Sequence, residues 1–323
     1  MICEEIRLSE KNEKVVLKTY RMDPKMEMLG DKIRPAVLVL GGGAYFSVSD
    51  SEGEPVALSF ATMGYHAFTL KYSTYGPDAF ITGFQNMKPR EKTQYPQPLY
   101  DVARAVLYIK EHAAEWNIDP DRIAVCGFSA GAHNAAMYIT HFNKPILTEH
   151  FGCSAEKLSV ALGILGYPLT DYVYMKEAME QGKTDPFFFG ASNMAYLGKR
   201  EPEESLLKEV SPRLAVDEQT PPCFIWTTAK DSMVPAQHSL LLALALADQG
   251  IPYELHVFEN GPHGMSVASQ VSAAAKDQID NHIHHWVELA KEWMESRFAL
   301  DLPEQFSFAD ADEAIAKTIR IES

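Results

Sequence analysis

The segment Gly127-Phe128-Ser129-Ala130-Gly131 sets a serine between glycines two residues before and two after it. It follows the apolar run 123–126, which reads as a strand, and precedes a helical stretch from about 130 to 141. A strand–turn–helix of this kind lifts a serine hydroxyl out of a tight, strained turn, and only small flanking residues fit beside it. The hydroxyl then stands at a helix N-terminus, where the dipole favours developing negative charge. A serine hydroxyl is a poor nucleophile near neutral pH and needs an adjacent base.

Nucleophile, acid and base in that chain order, each after a strand, complete such a site. Asp231 follows the apolar run 223–228, and His263 follows the run 254–258. Both fall where the order requires them. Rival acids are Asp171, after the strand that succeeds the serine turn, and Asp217, in a polar loop before a strand. Rival bases are His133, one turn beyond Ser129, and His282, His284 and His285. The last three belong to a final amphipathic stretch and are expected on its solvated face.

Acyl transfer also needs donors for the tetrahedral oxyanion. Gly41-Gly42-Gly43 comes directly after the apolar run 36–40, so backbone amides there can turn toward a substrate with no Cβ in the way. The amide of Ala130, next to the serine, is the second donor. The glycine run fits neither GxGxxG nor GxxxxGK[ST], which argues against a nucleotide. Tyr45, beside the run, is a candidate wall for an acyl pocket and equally a candidate core residue. No HExxH, paired CxxC or acidic calcium loop is present, so no metal or other cofactor is expected.

These residues need a scaffold that brings distant strand ends together. Short apolar runs at 36–40, 67–72, 123–126, 160–165, 223–228 and 254–258 alternate with helical stretches. A further strand is read at 15–19, and helices at 55–63, 99–116 and 236–249. The positions Ile279, Ile283, Trp286, Val287, Ala290, Trp293 and Met294 predict one last long helix. Alternation of this kind means βαβ units, a mostly parallel sheet and helices on both faces. Two stretches break it, at about 73–98 and 171–211, the second carrying Phe187-Phe188-Phe189. Both read as lid-like insertions.

Length alone, 323 residues, suggests two domains. The motif order overrides it, because Ser129 and His263 must meet in one site. The expectation is a single domain over 1–323, with a polar tail from 301 to 323 that is a capping helix or a partly disordered end, or else an oligomer contact. The net charge is −15, with 29 Lys and Arg against 44 Asp and Glu, and no basic cluster. Nucleic acid and anionic membrane are disfavoured as partners, and a strongly anionic substrate with them. Cys3, Cys126, Cys153 and Cys223 form no CxxC and read as free thiols. The first residues lack a basic n-region and apolar h-region, and no run reaches 18 apolar residues. The expectation from these signals is a cytoplasmic protein.

With these residues in place, the chain resembles the α/β-hydrolase superfamily, in its acetyl xylan esterase/feruloyl esterase-like branch related to hormone-sensitive lipase. The stretches that carry the resemblance are VLVLGGGAYFSVSDSEGEPVA, YPQPLYDVARAVLYIKEHAAEWNIDPDRIAVCGFSAGAHNAA, FIWTTAKDSMVP and ENGPHGMS, spread over about residues 33–297. The resemblance implies Ser129 as nucleophile, His263 as base, Asp231 as acid, and Gly42, Gly43 and Ala130 as oxyanion donors. It implies hydrolysis of carboxylic esters, often acetyl groups on plant polysaccharide fragments. Leu40-Gly41 lacks the histidine of the HGGG form, so the glycine loop must be anchored differently. The expected substrate is a small acetylated xylo-oligosaccharide. A general short-chain esterase, a serine peptidase and a non-catalytic binding module remain as alternatives, and a homo-oligomer is a further expectation.

Overall fold

Every residue of the strand Arg34–Leu40 is buried. Alternate side chains serve opposite faces: Ala36, Leu38 and Leu40 enter one core cluster, Val37 and Val39 the other. The same split recurs at Ile123 and Val125 against Ala124 and Cys126. A strand covered on both faces has no solvated side, so from Pro35 to Leu40 it is apolar throughout. The structure, a computed structural model, describes residues 1–10, 12–23, 32–302 and 304. Apart from Asp301, Leu302 and Glu304, the tail expected at 301–323 lies outside the described residues.

The strands are β1 (Glu5–Arg7), β2 (Val16–Tyr20), β3 (Arg34–Leu40), β4 (His66–Lys71), β5 (Ile118–Phe128), β6 (Leu162–Gly166), β7 (Cys223–Thr228) and β8 (Tyr253–Phe258). They form one sheet in the order β1-β2-β4-β3-β5-β6-β7-β8. β1, β2 and β4 pair antiparallel, and all remaining pairs are parallel. β3 is followed by a connection to β4 on one side and has β5 on the other. The crossovers diverge there and open a crevice at the carboxyl ends of the two strands. Leu40 of β3 pairs with Gly127 of β5, so the glycine loop and the serine turn leave the sheet side by side.

The helices are α1 (Glu54–Thr62), α2 (Asp78–Thr82), α3 (Gln97–Glu111), α4 (Ala130–His141), α5 (Pro145–Phe151), α6 (Ala155–Leu158), α7 (Tyr172–Glu180), α8 (Pro186–Leu197), α9 (Glu204–Glu209), α10 (Gln237–Asp248), α11 (Asn281–His284) and α12 (Trp286–Phe298). α3, α4 and α10 cover one face of the sheet through Val102, Val106, Ala132, Ala136 and Leu242. α1 and α12 cover the other through Val56, Phe60, Trp286 and Met294.

The structure differs from the sequence reading in several places. The 171–211 stretch is mostly helical: Asp185 caps α8, Pro186 opens it and Gly198 closes it in the left-handed region. The last helix is two, because Asp280 caps the short α11 and α12 restarts at Trp286, leaving Ile279 outside both. The strand read at 123–126 begins earlier, at Ile118, through an exposed excursion where the pairing with β3 jumps from Arg34↔Ile118 to Ala36↔Ile123.

Candidate active site

Ser129 follows β5 and is the N-cap of α4, with φ 52° and ψ −121°, a left-handed conformation that strains any residue with a side chain. Its amide donates to Gly166 O at 3.0 Å, and its carbonyl accepts from the His133 amide at 2.9 Å. The turn closes only because its glycines lack a Cβ. A Cβ on Gly127 would lie 2.4 Å from Gly131 O, and one on Gly131 would lie 2.1 Å from Leu40 O.

Asp231 and His263 leave β7 and β8, adjacent parallel strands paired through Thr228↔Phe258. Oδ1 of Asp231 accepts from the Met233 and Val234 amides, each at 2.9 Å. Its Oδ2 lies 2.6 Å from His263 Nδ1, and His263 Nε2 lies 2.8 Å from Ser129 Oγ. The carboxylate can only accept, so Nδ1 carries the proton and Nε2 presents its lone pair to the serine hydroxyl. The Thr228 hydroxyl donates to Gly261 O at 2.8 Å and pins the histidine loop to β7.

The glycine loop corrects one expectation. The Gly42 amide donates to Glu52 Oε2 at 2.7 Å, so it is not free to bind an oxyanion. What Gly42 supplies is clearance: a Cβ there would stand 2.7 Å from the Cβ of Ser129. Gly43, at φ 125°, and Ala130, the first residue of α4, have amides with no protein acceptor among the described residues. The histidine absent from the loop is replaced by other anchors. Tyr72 donates to Gly41 O at 2.7 Å, and the Ser49 amide donates to Gly42 O at 2.8 Å.

Beside Ser129 lies a cavity of about 20 Å³, walled by Ala44, Tyr45, Leu169, Phe188, Met233 and Val234 among others. The phenylalanine run divides its roles: Phe189 is buried, Phe188 lines this cavity and packs on Phe46, and Phe187 is exposed. Tyr45 serves as both wall and core. It is buried, stacks on Tyr196 at 4.0 Å and donates to His133 Nδ1 at 2.5 Å.

A family model described as BD-FAE matches residues 22–246. The chain belongs to the BD-FAE family. It is 34% identical over 241 residues to endo-1,4-beta-xylanase B of Butyrivibrio fibrisolvens, covering 74% of this chain and 34% of that protein. It is 24% identical over 256 residues to an acetylxylan esterase of Xylanibacter ruminicola, covering 78% of this chain and 45% of that protein. The chain therefore spans between about a third and a half of these curated relatives. The crystal structure of an acetyl ester-xyloside bifunctional hydrolase from Caldicellulosiruptor lactoaceticus matches with a TM-score of 0.69 at 29% identity, covering 91% of this chain and 96% of that one. This BD-FAE member is an α/β-hydrolase of the esterase branch.

In this BD-FAE member the rival residues are engaged elsewhere. Asp171 caps α7 and pairs with Arg213 at 2.6 Å. Asp217 pairs with Lys144. His133 donates from Nε2 to Val210 O at 2.8 Å, and burial holds its pKa down to about 4. His284 bonds Val267 O at 2.5 Å, while His282 and His285 are exposed. Three residues next to the BD-FAE triad escaped the sequence reading. Glu52, Tyr167 and Ser266 are buried and bonded to one another across 215 positions of chain from Ser51 to Ser266. Glu52 stands in the quoted EGEPVA stretch, but no spacing rule singles it out. Among the described residues no helix is long and apolar enough to cross a membrane, and no cluster is suited to a metal.

Proposed function

We propose that the chain is a serine carboxylic ester hydrolase that removes short acyl groups, acetyl foremost, from small carbohydrate esters such as acetylated xylo-oligosaccharides. The hydrogen-bonded line Asp231–His263–Ser129 at 2.6 and 2.8 Å, opening on a cavity of about 20 Å³, carries this reading. In it, Ser129 Oγ attacks the ester carbonyl as His263 Nε2 takes its proton. Asp231 keeps the ring in the Nδ1–H tautomer and stabilises the imidazolium. The Gly43 and Ala130 amides receive the oxyanion, with Gly42 supplying clearance in place of a donor. His263 then protonates the leaving alcohol, and water, activated by the same nitrogen, releases the acid from Ser129.

The acyl preference rests on volume, because a space of about 20 Å³ suits a methyl better than a longer chain. The carbohydrate preference rests on the xylan-related relatives, and an oligosaccharide imported into the cytoplasm is the corresponding substrate pool. Hydrolysis of p-nitrophenyl acetate, butyrate and octanoate decides acyl size. NMR of acetylated xylo-oligosaccharides during turnover decides the alcohol. Acetate loss from the sugar and little octanoate hydrolysis are expected. A preference for octanoate overturns the acyl assignment, and intact sugar acetates overturn the carbohydrate assignment.

A further inference from the structure

Glu52 is 5% exposed, and no cation pairs with it among the described residues. A buried carboxylate without a cation is costly unless donors replace its water. Here each oxygen has one. Oε2 accepts from the Gly42 amide at 2.7 Å, and Oε1 accepts from the Tyr167 hydroxyl at 2.6 Å. The Tyr167 hydroxyl in turn accepts from the Ser266 amide at 2.9 Å. Ser266 lies three residues beyond His263, and its own hydroxyl donates to Ser51 O at 2.7 Å. The Tyr167 ring meets the His263 ring edge-on, with centroids 4.9 Å apart.

We propose that Glu52 is a positioning residue that locks the glycine loop to the histidine loop through Tyr167. The inference rests on the esterase reading above. One carboxylate draws the Gly42 amide inward, which fixes the Gly41–Gly42 peptide, one link before the Gly43 amide. The same carboxylate orients the tyrosine hydroxyl that holds the segment following His263. Tyr167 and Ser266 both have positive φ, at 38° and 49°, so neither loop is in a relaxed conformation that would persist without such a tie. A neutral amide at position 52 cannot do the same. With its oxygen on the Gly42 amide, its NH2 faces the Tyr167 hydroxyl, which must then accept and loses the acceptor for its own proton.

The test compares E52A, E52Q and Y167F with wild type on p-nitrophenyl acetate, alongside inhibition by a phenylboronic acid that forms a tetrahedral adduct on serine. In E52A, kcat should fall about 100-fold, the scale of losing an oxyanion donor, with KM changed little. Boronate affinity should fall with kcat, because both need the aligned amides. E52Q should lie between E52A and wild type, and Y167F should lose about tenfold, the worth of one charged hydrogen bond. Should E52A not fold, E52Q and Y167F carry the same test. Folded variants with wild-type kcat overturn the proposal, as does lost kcat with unchanged boronate affinity. A wild-type protein that hydrolyses no ester overturns the esterase reading instead.

Discussion

A Cβ on Gly42 would stand 2.7 Å from the Cβ of Ser129 and 2.7 Å from Phe128 O. The two neighbouring atoms belong to a turn already held by the sheet, so the glycine loop must retreat. Gly42→Ala is expected to cut kcat at least about 100-fold, since the displaced loop carries the Gly43 amide with it. Steady-state kinetics with p-nitrophenyl acetate, beside a thermal melt to confirm folding, checks this. A folded G42A enzyme with near-normal kcat would show that the loop has room to spare.

The backbone of Ser129 supplies a second prediction. Its φ of 52° is tolerated by glycine and strained for every other residue. Ser129→Ala and Ser129→Gly should both lack activity. Ser129→Gly should be the more stable of the two, by about 1–3 kcal/mol, because only it relieves the turn. Chemical denaturation of the pair measures the difference. Equal stabilities would mean that the elbow stores no strain.

Phe188 closes the cavity at Ser129 and is only partly buried, so removing it opens space without emptying the core. Phe188→Ala should raise kcat/KM for butyrate relative to acetate by about 10-fold or more, the scale at which pockets sense added methylenes. A ratio that stays at the wild-type value would assign acyl selection to another wall.

Buried histidines make stability depend on pH. Burial is the largest cause holding His66 and His133 down to about 4 and His238 down to about 3, against an ordinary value of 6.5. Between pH 6.5 and about 4 the unfolded chain therefore binds protons that the folded one refuses. The stability they contribute is complete above 6.5 and is lost as pH falls toward their folded values, at about 1.4 kcal/mol per pH unit for each. Urea unfolding at pH 7, 5.5 and 4.5 should show midpoints that decline in that order. Constant or rising midpoints would contradict the burial of these rings.

Much of this was legible in the sequence, for identifiable reasons. β3, β6 and β7 are buried on both faces, so they are written as unbroken apolar runs and cannot be missed. Ser129, Asp231 and His263 were legible because each follows such a run in the required order. β1 was missed because it is a three-residue edge strand with one half-buried side chain. The helices in 171–211 hid because their apolar residues face the other insertion as well as the core, as Phe188 of α8 does toward Phe84. The destination of the Gly42 amide was invisible for a different reason. A glycine run advertises amides without Cβ atoms in the way, but the acceptor that claims one of them, Glu52, carries no periodic signature.

β8 is one of the two edge strands of the sheet, paired only with β7, and it alone delivers His263 to the site. The strands before it place Ser129 and Asp231 but no base, so without β8 the serine is an inert hydroxyl. Chemistry begins when the margin docks. Fraying of that edge alone would part the base from the serine, so the rate of ester turnover reports on the rim of the sheet as well as its centre.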